Sequence, residues 1–249
     1  MKYYIYISIL LISCSRTDDS FINNCTTDCT TITGRITEGN DIGIPDAEIE
    51  FYFEENPLYS SFKRIIARDR TDNNGNYELK GFIKDEELGY VNDGSFKIRL
   101  LEESLSNSYM KNTSINAVEV GYYTSINSYV EKYISEIFSR DTIIEYNLAI
   151  PKKVPLILKI REFQPINETD NIDISIFFKA SPNQELISYS VSNFIRSEYQ
   201  FVNFDISTFG GLNFINVINI TKRKNGILEN ESIEIFITEE NDNEVTIFY

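Results

Sequence analysis

The sequence has no histidine, no tryptophan and only three cysteines among its 249 residues. The lack of histidine excludes a Ser-His-Asp triad, a Cys-His pair and every histidine-ligated metal site. The lack of tryptophan removes the commonest stacking platform for sugars. Basic residues are also few, since 23 Lys and Arg stand against 38 Asp and Glu and give a net charge of −15. We therefore expect no nucleic-acid partner, because phosphate binding requires clustered cations.

Alanine is scarce as well, with five residues, whereas isoleucine and asparagine number 38 and 25. Chains that are rich in Ile and poor in Ala favour sheets over helices. A hydrophobic content of 42% is enough for a folded core. No stretch reaches the roughly 18 consecutive apolar residues of a transmembrane helix.

The first 14 residues are predicted to be an export signal. Lys2 precedes an apolar stretch over residues 3–12, which is too short to span a bilayer and is typical of a secretory signal. The stretch ends in Leu11-Ile12-Ser13-Cys14, which resembles the lipobox of bacterial lipoproteins. The resemblance implies a signal peptide over residues 1–13 that is cut before Cys14, whose thiol carries fatty acids such as palmitate. An ordinary signal peptide with an incidental Cys is the alternative.

Residues 14–30 are predicted to be a polar tether. Ser15 resembles the outer-membrane sorting signal of lipoproteins, and Asp18-Asp19 resembles the acidic export signal of some Gram-negative surface lipoproteins. We therefore expect lipid anchoring in the outer membrane, with the protein at the cell surface. A plain solvated tether in a protein that faces the periplasm would contain the same residues.

Two cysteines remain once Cys14 carries lipid. Cys25 and Cys29 lie outside the cytoplasm under this interpretation, where such a pair is expected to form a disulfide. Because the closed loop would be so small, the bond is expected to constrain the chain only locally. Two free thiols are the main alternative. A metal site is disfavoured because histidine and a second Cys pair are missing, and we expect no metal and no cofactor.

Apolar and polar residues alternate from residue 31 to the end, which predicts an all-β fold. In residues 47–54, for example, Ala47, Ile49, Phe51 and Phe53 face one side and the residues between them face the other. Clusters of Asn, Asp and Gly separate such runs and are typical of turns. Many short strands joined by regular turns indicate β-sandwich architecture.

One segment, residues 126–138, has a different period. Its apolar residues recur at helical spacing, which predicts a short amphipathic helix in an insertion. A long irregular crossover is the alternative. The apolar residues concerned are Ile126, Val130, Tyr133, Ile134 and Ile137.

Three motifs in residues 31–79 carry a family resemblance. Residues 33–37 form a Thr-Gly-Arg-Ile-Thr strand, residues 43–49 follow the pattern G-x-P-x-A-x-I, and residues 71–77 follow T-D-x-x-G-x-Y. Together they resemble the carboxypeptidase regulatory-like domain, a seven-stranded sandwich of transthyretin-like fold. That domain is not catalytic in itself and serves as a stability, spacer or interaction module. The resemblance therefore implies no peptidase activity.

The alternation extends this first domain to residue 152. Pro151 and Pro155 resist both a helix and a central strand, which places a domain boundary here. The predicted domains are therefore a transthyretin-like sandwich over residues 31–152 and a second β-sandwich of no recognised family over residues 153–249. In the alternative, residues 156–162 complete one larger sandwich.

These observations predict a non-catalytic binding or scaffold module whose partner is an envelope protein or a glycan. An accessory subunit of an outer-membrane uptake or secretion complex is one alternative. A carboxylate-dependent hydrolase is a second, based on the acidic runs 85–87, 102–103 and 239–240, but such runs are usually solvated. Six aromatic residues are candidates for an exposed binding platform: Tyr52, Tyr122, Tyr123, Phe177, Phe236 and Phe248.

Overall fold

The computed structural model describes residues 16–18, 25–55, 62–89, 94–116, 122–134, 137, 139–199, 201–239 and 243–249. The strands in the first half of the chain are β1 (Arg16–Asp18), β2 (Thr30–Glu38), β3 (Ile42–Gly43), β4 (Glu48–Glu55), β5 (Phe62–Arg70), β6 (Asn76–Gly81), β7 (Gly94–Leu101), β8 (Thr113–Asn116), β9 (Tyr122–Ser128), β10 (Glu131–Ile134), β11 (Ile143–Glu145) and β12 (Leu148–Ala149). The strands in the second half are β13 (Lys153–Arg161), β14 (Asn171–Lys179), β15 (Tyr189–Arg196), β16 (Phe204–Gly211), β17 (Ile215–Lys224), β18 (Ile227–Phe236) and β19 (Glu244–Phe248).

The strands form four sheets, and the prediction of an all-β sandwich is confirmed. The first sheet has the order β1-β5-β4-β7-β10. The second is built around β2, which pairs with β11 and β12 and with β3 and β6. The third has the order β16-β13-β19, and the fourth has the order β18-β17-β14-β15-β9-β8. Three single-turn 3₁₀ helices complete the described secondary structure: Gly39–Asp41, Asp85–Glu87 and Glu102–Ser104.

The short helix predicted over residues 126–138 is wrong. The segment instead contains the end of β9 and all of β10, and its first residue, Ile126, is buried at 1% exposure. β-Branched residues spaced by four fit a helix period, but they also fit two strands that are separated by a bend. Pairing with β15 and β7 decides in favour of strands. Within the described residues, no helix has the length and apolar character needed to cross a membrane.

The predicted boundary at residue 152 does not separate the sheets. β8 and β9 come from the first half, yet β9 pairs with β15 from Tyr122↔Ile195 to Ser128↔Tyr189. Local alternation predicts that a strand exists but not which strand it pairs with, which is why the sequence placed β8 and β9 in the first domain. The predicted tether also differs, because Arg16–Asp18 pairs in parallel with β5.

Buried side chains from both halves form one hydrophobic cluster. Phe51 and Phe96 stack in the first half, with ring centroids 5.8 Å apart. Phe178 and Phe214 meet edge to face in the second half. Ile126 belongs to the same cluster, so β9 contributes a first-half side chain to the second-half sheet.

The T-D-x-x-G-x-Y motif forms the tight turn that its residues favour. The Asp72 carboxylate accepts hydrogen bonds from the backbone N–H groups of Asn74 and Asn76, both at 2.8 Å. Gly75 has φ +80°, and a Cβ atom there would lie 2.2 Å from the Ile36 carbonyl oxygen. The turn is therefore fixed by an Asx-type hydrogen bond and by a position that only glycine fits.

We expect Ile126→Ala to lower the free energy of unfolding by about 2–5 kcal/mol, because it leaves a cavity in a shared core. Urea denaturation followed by far-UV circular dichroism measures the change. Ile143→Ala is the matched control: Ile143 is 76% exposed, and its truncation should change stability by less than about 0.5 kcal/mol. An unfolding curve of Ile126→Ala with two separate steps would contradict the shared core.

Candidate functional site

The outer surface of the six-stranded sheet presents a row of small polar side chains. Ser232, Asn219, Ser175, Ser192 and Ser125 lie side by side in the strand register, one from each of β18, β17, β14, β15 and β9. On β17, β14, β15 and β9 the neighbours along the strand are buried, so these four side chains lie on the opposite face. Ser232 shares that face through its register with Asn219. Since strands lie about 4.8 Å apart, this polar row crosses about 19 Å of sheet.

The centre of the polar row is free to bond a ligand. At one end, the Ser232 hydroxyl donates to Asn219 Oδ1 at 2.8 Å. At the other end, Ser125 Oγ accepts a hydrogen bond from Asn127 Nδ2 at 3.4 Å. Among the described residues, the hydroxyls of Ser175 and Ser192 have no hydrogen-bond partner. Each of these hydroxyls can donate one hydrogen bond and accept two.

Aromatic rings flank the polar row on both sides. Phe177 lies two residues from Ser175 along β14, on one side of the polar row. On the other side, Phe194 of β15 and Tyr123 of β9 face each other in the strand register. The Tyr123 and Phe194 ring centroids are 5.5 Å apart, and Tyr123 is 39% exposed. The Arg196 guanidinium lies 5.5 Å from the Tyr123 centroid and 5.9 Å from that of Phe194. We call the polar row together with these three rings the polar sheet face.

The charged groups beside this face lie at its margins. Lys179 Nζ and Glu234 Oε1 form an ion pair at 3.0 Å, which neutralises both charges. Asp173 lies opposite Phe194 in the register, and partial desolvation raises the pKa of its carboxyl above the ordinary value. The polar row itself carries no formal charge.

A cleft of about 1000 Å³ is a second candidate surface, lined by the edge of the β2 sheet and by residues 180–187. Its lining includes four acids and one base, Arg35. Arg35 donates to Asp41 at 2.8 Å and to the Asn74 carbonyl oxygen at 2.8 Å, so its charge is already paired. The cleft therefore presents unpaired negative charge and suits a cationic or neutral polar ligand. The four acids are Glu38, Asp41, Glu145 and Glu185.

A charge network covers the outer surface of the five-stranded sheet. The Glu50 carboxylate is fully buried and accepts from Lys63 at 2.5 Å, from Arg68 at 2.6 Å and from Arg99 at 3.0 Å. Burial alone would raise the pKa of Glu50, but the hydrogen bonds from Lys63 and Arg68 and the charge of Arg99 outweigh it and lower the pKa. The network ties β4 to its neighbours β5 and β7 and gives the buried Glu50 carboxylate three cationic partners.

Tyr52, a predicted candidate for an exposed platform, is instead buried at 3% exposure within this network. Its hydroxyl donates to Glu131, and the Lys63 ammonium lies 4.0 Å from its ring centroid. Phe236 and Phe248 are exposed, at 52% and 57%. Phe236 lies four residues along β18 from Ser232, beyond the rings that flank the polar row, and Phe248 belongs to the third sheet. The side chain of Tyr122 lies outside the described residues. Tyr123 and Phe177 are therefore the predicted aromatics that the structure brings to the polar sheet face.

The acidic runs considered for catalysis make structural contacts. Glu87 is buried and accepts from Arg64 Nε at 2.6 Å. Glu102 accepts from the Ser128 hydroxyl at 2.7 Å and from the Tyr189 hydroxyl at 3.2 Å. These two carboxylates hold strands together, and no distance places them as an acid–base pair.

The remaining acids do not extend these runs into a site. Glu103 is exposed, Glu239 lies 3.8 Å from Lys152, and Glu240 lies outside the described residues. Across the described part of the chain, no cluster of three Cys, Asp or Glu side chains is arranged to hold a metal ion.

The predicted lipidation site, Cys14, lies outside the described residues. Cys25 and Cys29 form a disulfide with their Cα atoms 5.7 Å apart. The bond closes a five-residue loop directly before β2, so it lies where the predicted tether meets the fold.

Sequence reasoning missed the polar row, although each of its strands alternates clearly. Ser175 stands at the centre of an alternating run, and so does Ser192. The signal that these residues form one surface is their common register across five strands, which no single run contains.

No protein-family model matches the chain, and no curated protein matches it. Solved structures that match the chain include the Bacillus anthracis TIE protein, at 14% identity and a TM-score of 0.30, covering 89% of this chain and 33% of that chain. The streptococcal ancillary pilin has 10% identity and a TM-score of 0.30, covering 90% and 63%. The shaft pilin SpaA of Lactobacillus rhamnosus GG, as its D295N mutant, has 8% identity and a TM-score of 0.30, covering 88% and 97%. Identities of 8–14% and TM-scores of 0.30 assign neither a family nor a function to this chain.

We expect Glu50→Gln to lower the free energy of unfolding by about 3 kcal/mol near neutral pH. The substitution removes the carboxylate that Lys63, Arg68 and Arg99 share. Because Arg68 and Arg99 remain partly solvated, the expected loss lies at the lower end of the range of about 3–5 kcal/mol for breaking a buried ion pair. Because the folded-state pKa of Glu50 is lowered, its contribution is present above the ordinary Glu pKa and is lost as the pH falls through the folded value. The difference between wild type and variant should therefore narrow below about pH 4.

Chemical denaturation at a series of pH values tests this expectation. Glu103→Gln is the matched control, since Glu103 is exposed and its substitution should have little effect at any pH. Equal stability of wild type and Glu50→Gln at pH 7 would show that the network contributes nothing net.

We expect mass spectrometry of the non-reduced protein to find Cys25 linked to Cys29 within one chain. Replacing both by Ser should cost at most about 2 kcal/mol, because so short a loop constrains the unfolded chain little. Complete alkylation of both thiols without a reductant would rule the bond out.

Proposed function

We propose that this protein is a lipid-anchored, non-catalytic binding module of the outer membrane, exposed at the cell surface. The observation that carries the binding role is the polar sheet face, with unpartnered hydroxyls at its centre and rings on both sides. A surface that is open and uncharged at its centre suits recognition. It does not offer the enclosed pair of carboxylates that a hydrolase without histidine would require.

The anchoring rests on the residues that precede Cys14. The lipobox resemblance supplies a thiol for acylation directly after a signal-like apolar stretch. A net charge of −15 gives the protein no electrostatic attraction to anionic membranes, so the lipid is the interaction that holds it there. Arg16–Asp18 pairs with β5 soon after Cys14 in the sequence, so an anchor at Cys14 would lie close to the folded part of the chain.

The resemblance of residues 31–79 to a carboxypeptidase regulatory-like domain supports the same proposal. In that role the first half is a spacer that also completes the sheet on which the second half presents its polar face. The β9 strand of the first half is the fifth strand of that face.

We expect Cys14→Ser to abolish fatty-acid labelling and to release the protein from the membrane fraction. Metabolic labelling with a palmitate analogue, followed by fractionation, measures both effects. The double variant Cys25→Ser/Cys29→Ser is the matched control and should keep both the label and the membrane location. Unchanged labelling and fractionation of Cys14→Ser would overturn the anchoring, and resistance to protease added to intact cells would overturn the surface location.

A further inference from the structure

We propose that the polar sheet face binds a neutral polysaccharide, which lies along the polar row across the strands. This inference rests on the proposed function, because it names the class of ligand that the binding module takes. Four features of the face support it: its charge, its hydrogen-bonding capacity, its aromatic flanks and its area.

The charge of the face selects a neutral ligand. The whole chain carries −15, and its field repels polyanions over about one Debye length. The five side chains of the polar row are uncharged. Beside them lie one acid, Asp173, and one base, Arg196, of opposite charge, and the ion pair of Lys179 with Glu234 is self-neutralised. A ligand that approaches Ser175 and Ser192 therefore needs no formal charge, and a polyanion is opposed by the surrounding protein.

The hydrogen-bonding capacity of the face matches sugar hydroxyls. A sugar hydroxyl both donates and accepts, and so does a serine hydroxyl. Ser175 and Ser192 lie opposite each other on adjacent strands, and neither has a hydrogen-bond partner among the described residues. The amide of Asn219, which is exposed beside Ser175, retains two N–H donors. Three neighbouring strands therefore offer donors and acceptors in one line.

The aromatic flanks supply the apolar contact that a sugar also requires. The faces of a pyranose ring are lined by C–H groups, which pack against an aromatic ring. Phe177 lies on one side of the polar row, and Phe194 and Tyr123 lie on the other, about two residues or 7 Å along the strands. The Arg196 guanidinium lies over the Tyr123 and Phe194 rings and adds several N–H donors at that margin.

The area of the face is too small for a stable protein partner. The polar row spans about 19 Å across the strands, and the rings extend it to about 13 Å along them, which gives roughly 250 Å². A standard protein interface buries about 800 Å² on each partner and has an apolar centre. Here the centre is polar and the rings lie at the rim, which disfavours a second copy of this chain as the occupant.

The choice of residue also needs an explanation other than stability. β-Branched and aromatic residues suit the exposed face of a central strand best, and a lone serine hydroxyl adds little to the sheet. Serine nevertheless occupies the centre of β14 and of β15 at registered positions. Small side chains there keep the space above the sheet open between the rings.

Affinity gel electrophoresis of the full chain in non-ionic detergent tests the proposal. Gels contain a neutral β-glucan, an α-glucan or a mannan, or the anionic polysaccharide alginate, and migration is compared with that in an empty gel. We expect at least one neutral polysaccharide to retard the wild type and alginate not to do so. The double variant Ser175→Ala/Ser192→Ala should weaken binding about fivefold to tenfold, as the loss of one or two hydrogen bonds predicts.

Ser192→Arg should abolish the retardation, because a long cationic side chain then occupies the centre of the row. Ser207→Arg is the matched control: Ser207 is exposed on β16, in a different sheet, and the variant has the same net charge. It should bind as the wild type does. Circular dichroism melts establish whether each variant is folded. If Ser192→Arg does not fold, the alanine double variant still tests the proposal.

Three results would overturn the inference: no retardation of the wild type by any neutral polysaccharide, retardation by alginate alone, or equal binding by wild type and both Ser192 variants. A dimeric wild type that Ser192→Arg converts to a monomer, without polysaccharide binding, would assign the face to self-association instead. Any of these leaves the labelling and fractionation result for Cys14→Ser unchanged. Conversely, failure of the anchoring leaves polysaccharide retardation intact, so the two proposals fail independently.

Discussion

The backbone ladder between β9 and β15 is the contact on which the rest of the structure depends, because it carries the chain from one half into the sheet of the other. Seven residue pairs lie in register along it. On its core side, the Thr124 hydroxyl donates to Asn193 Oδ1 at 2.8 Å, and Ile126 joins the hydrophobic cluster. On its outer side, Ser125 extends the polar row. One ladder thus joins the two halves and builds part of the candidate site.

The five-stranded and six-stranded sheets differ in the side chains at the centre of their outer surfaces. On the five-stranded sheet, one buried carboxylate is surrounded by Lys63, Arg68 and Arg99. These ion pairs hold neighbouring strands together. The outer face of the six-stranded sheet carries serine and asparagine at its centre instead. A surface built from unpaired hydroxyls gains little in stability, whereas the buried charge network contributes to stability only while it is fully paired. This difference in energetic role is the reason for placing recognition on the second surface.

Local alternation was sufficient to predict strands, and therefore the all-β class, since one buried face imposes a period of two. It failed over residues 126–138, where the apolar spacing fits a helix and two strands equally well and only the partner strands decide. The boundary predicted from Pro151 and Pro155 rests on a different signal, and it does not coincide with a break between the sheets. Pro155 lies in β13 at a position that pairs with Phe209 of β16, before the pairing with β19 begins at Ile157. Proline is tolerated where a strand has one neighbour, so Pro155 is compatible with a continuous β13.

The candidate site was less predictable than the fold, because it is a property of register between strands that are distant in sequence. Tyr123 and Phe177 were recognisable as possible platform residues, but Ser175 and Ser192 were not, since serine alternating with isoleucine is ordinary for a half-exposed strand. The strand that follows Cys14 in the sequence is also separate from this face: Arg16–Asp18 pairs at the edge of the five-stranded sheet, and the polar row lies on the six-stranded sheet. A ligand on the polar row therefore need not displace that strand. The proposed anchoring and the proposed recognition are compatible, because they would use different sheets.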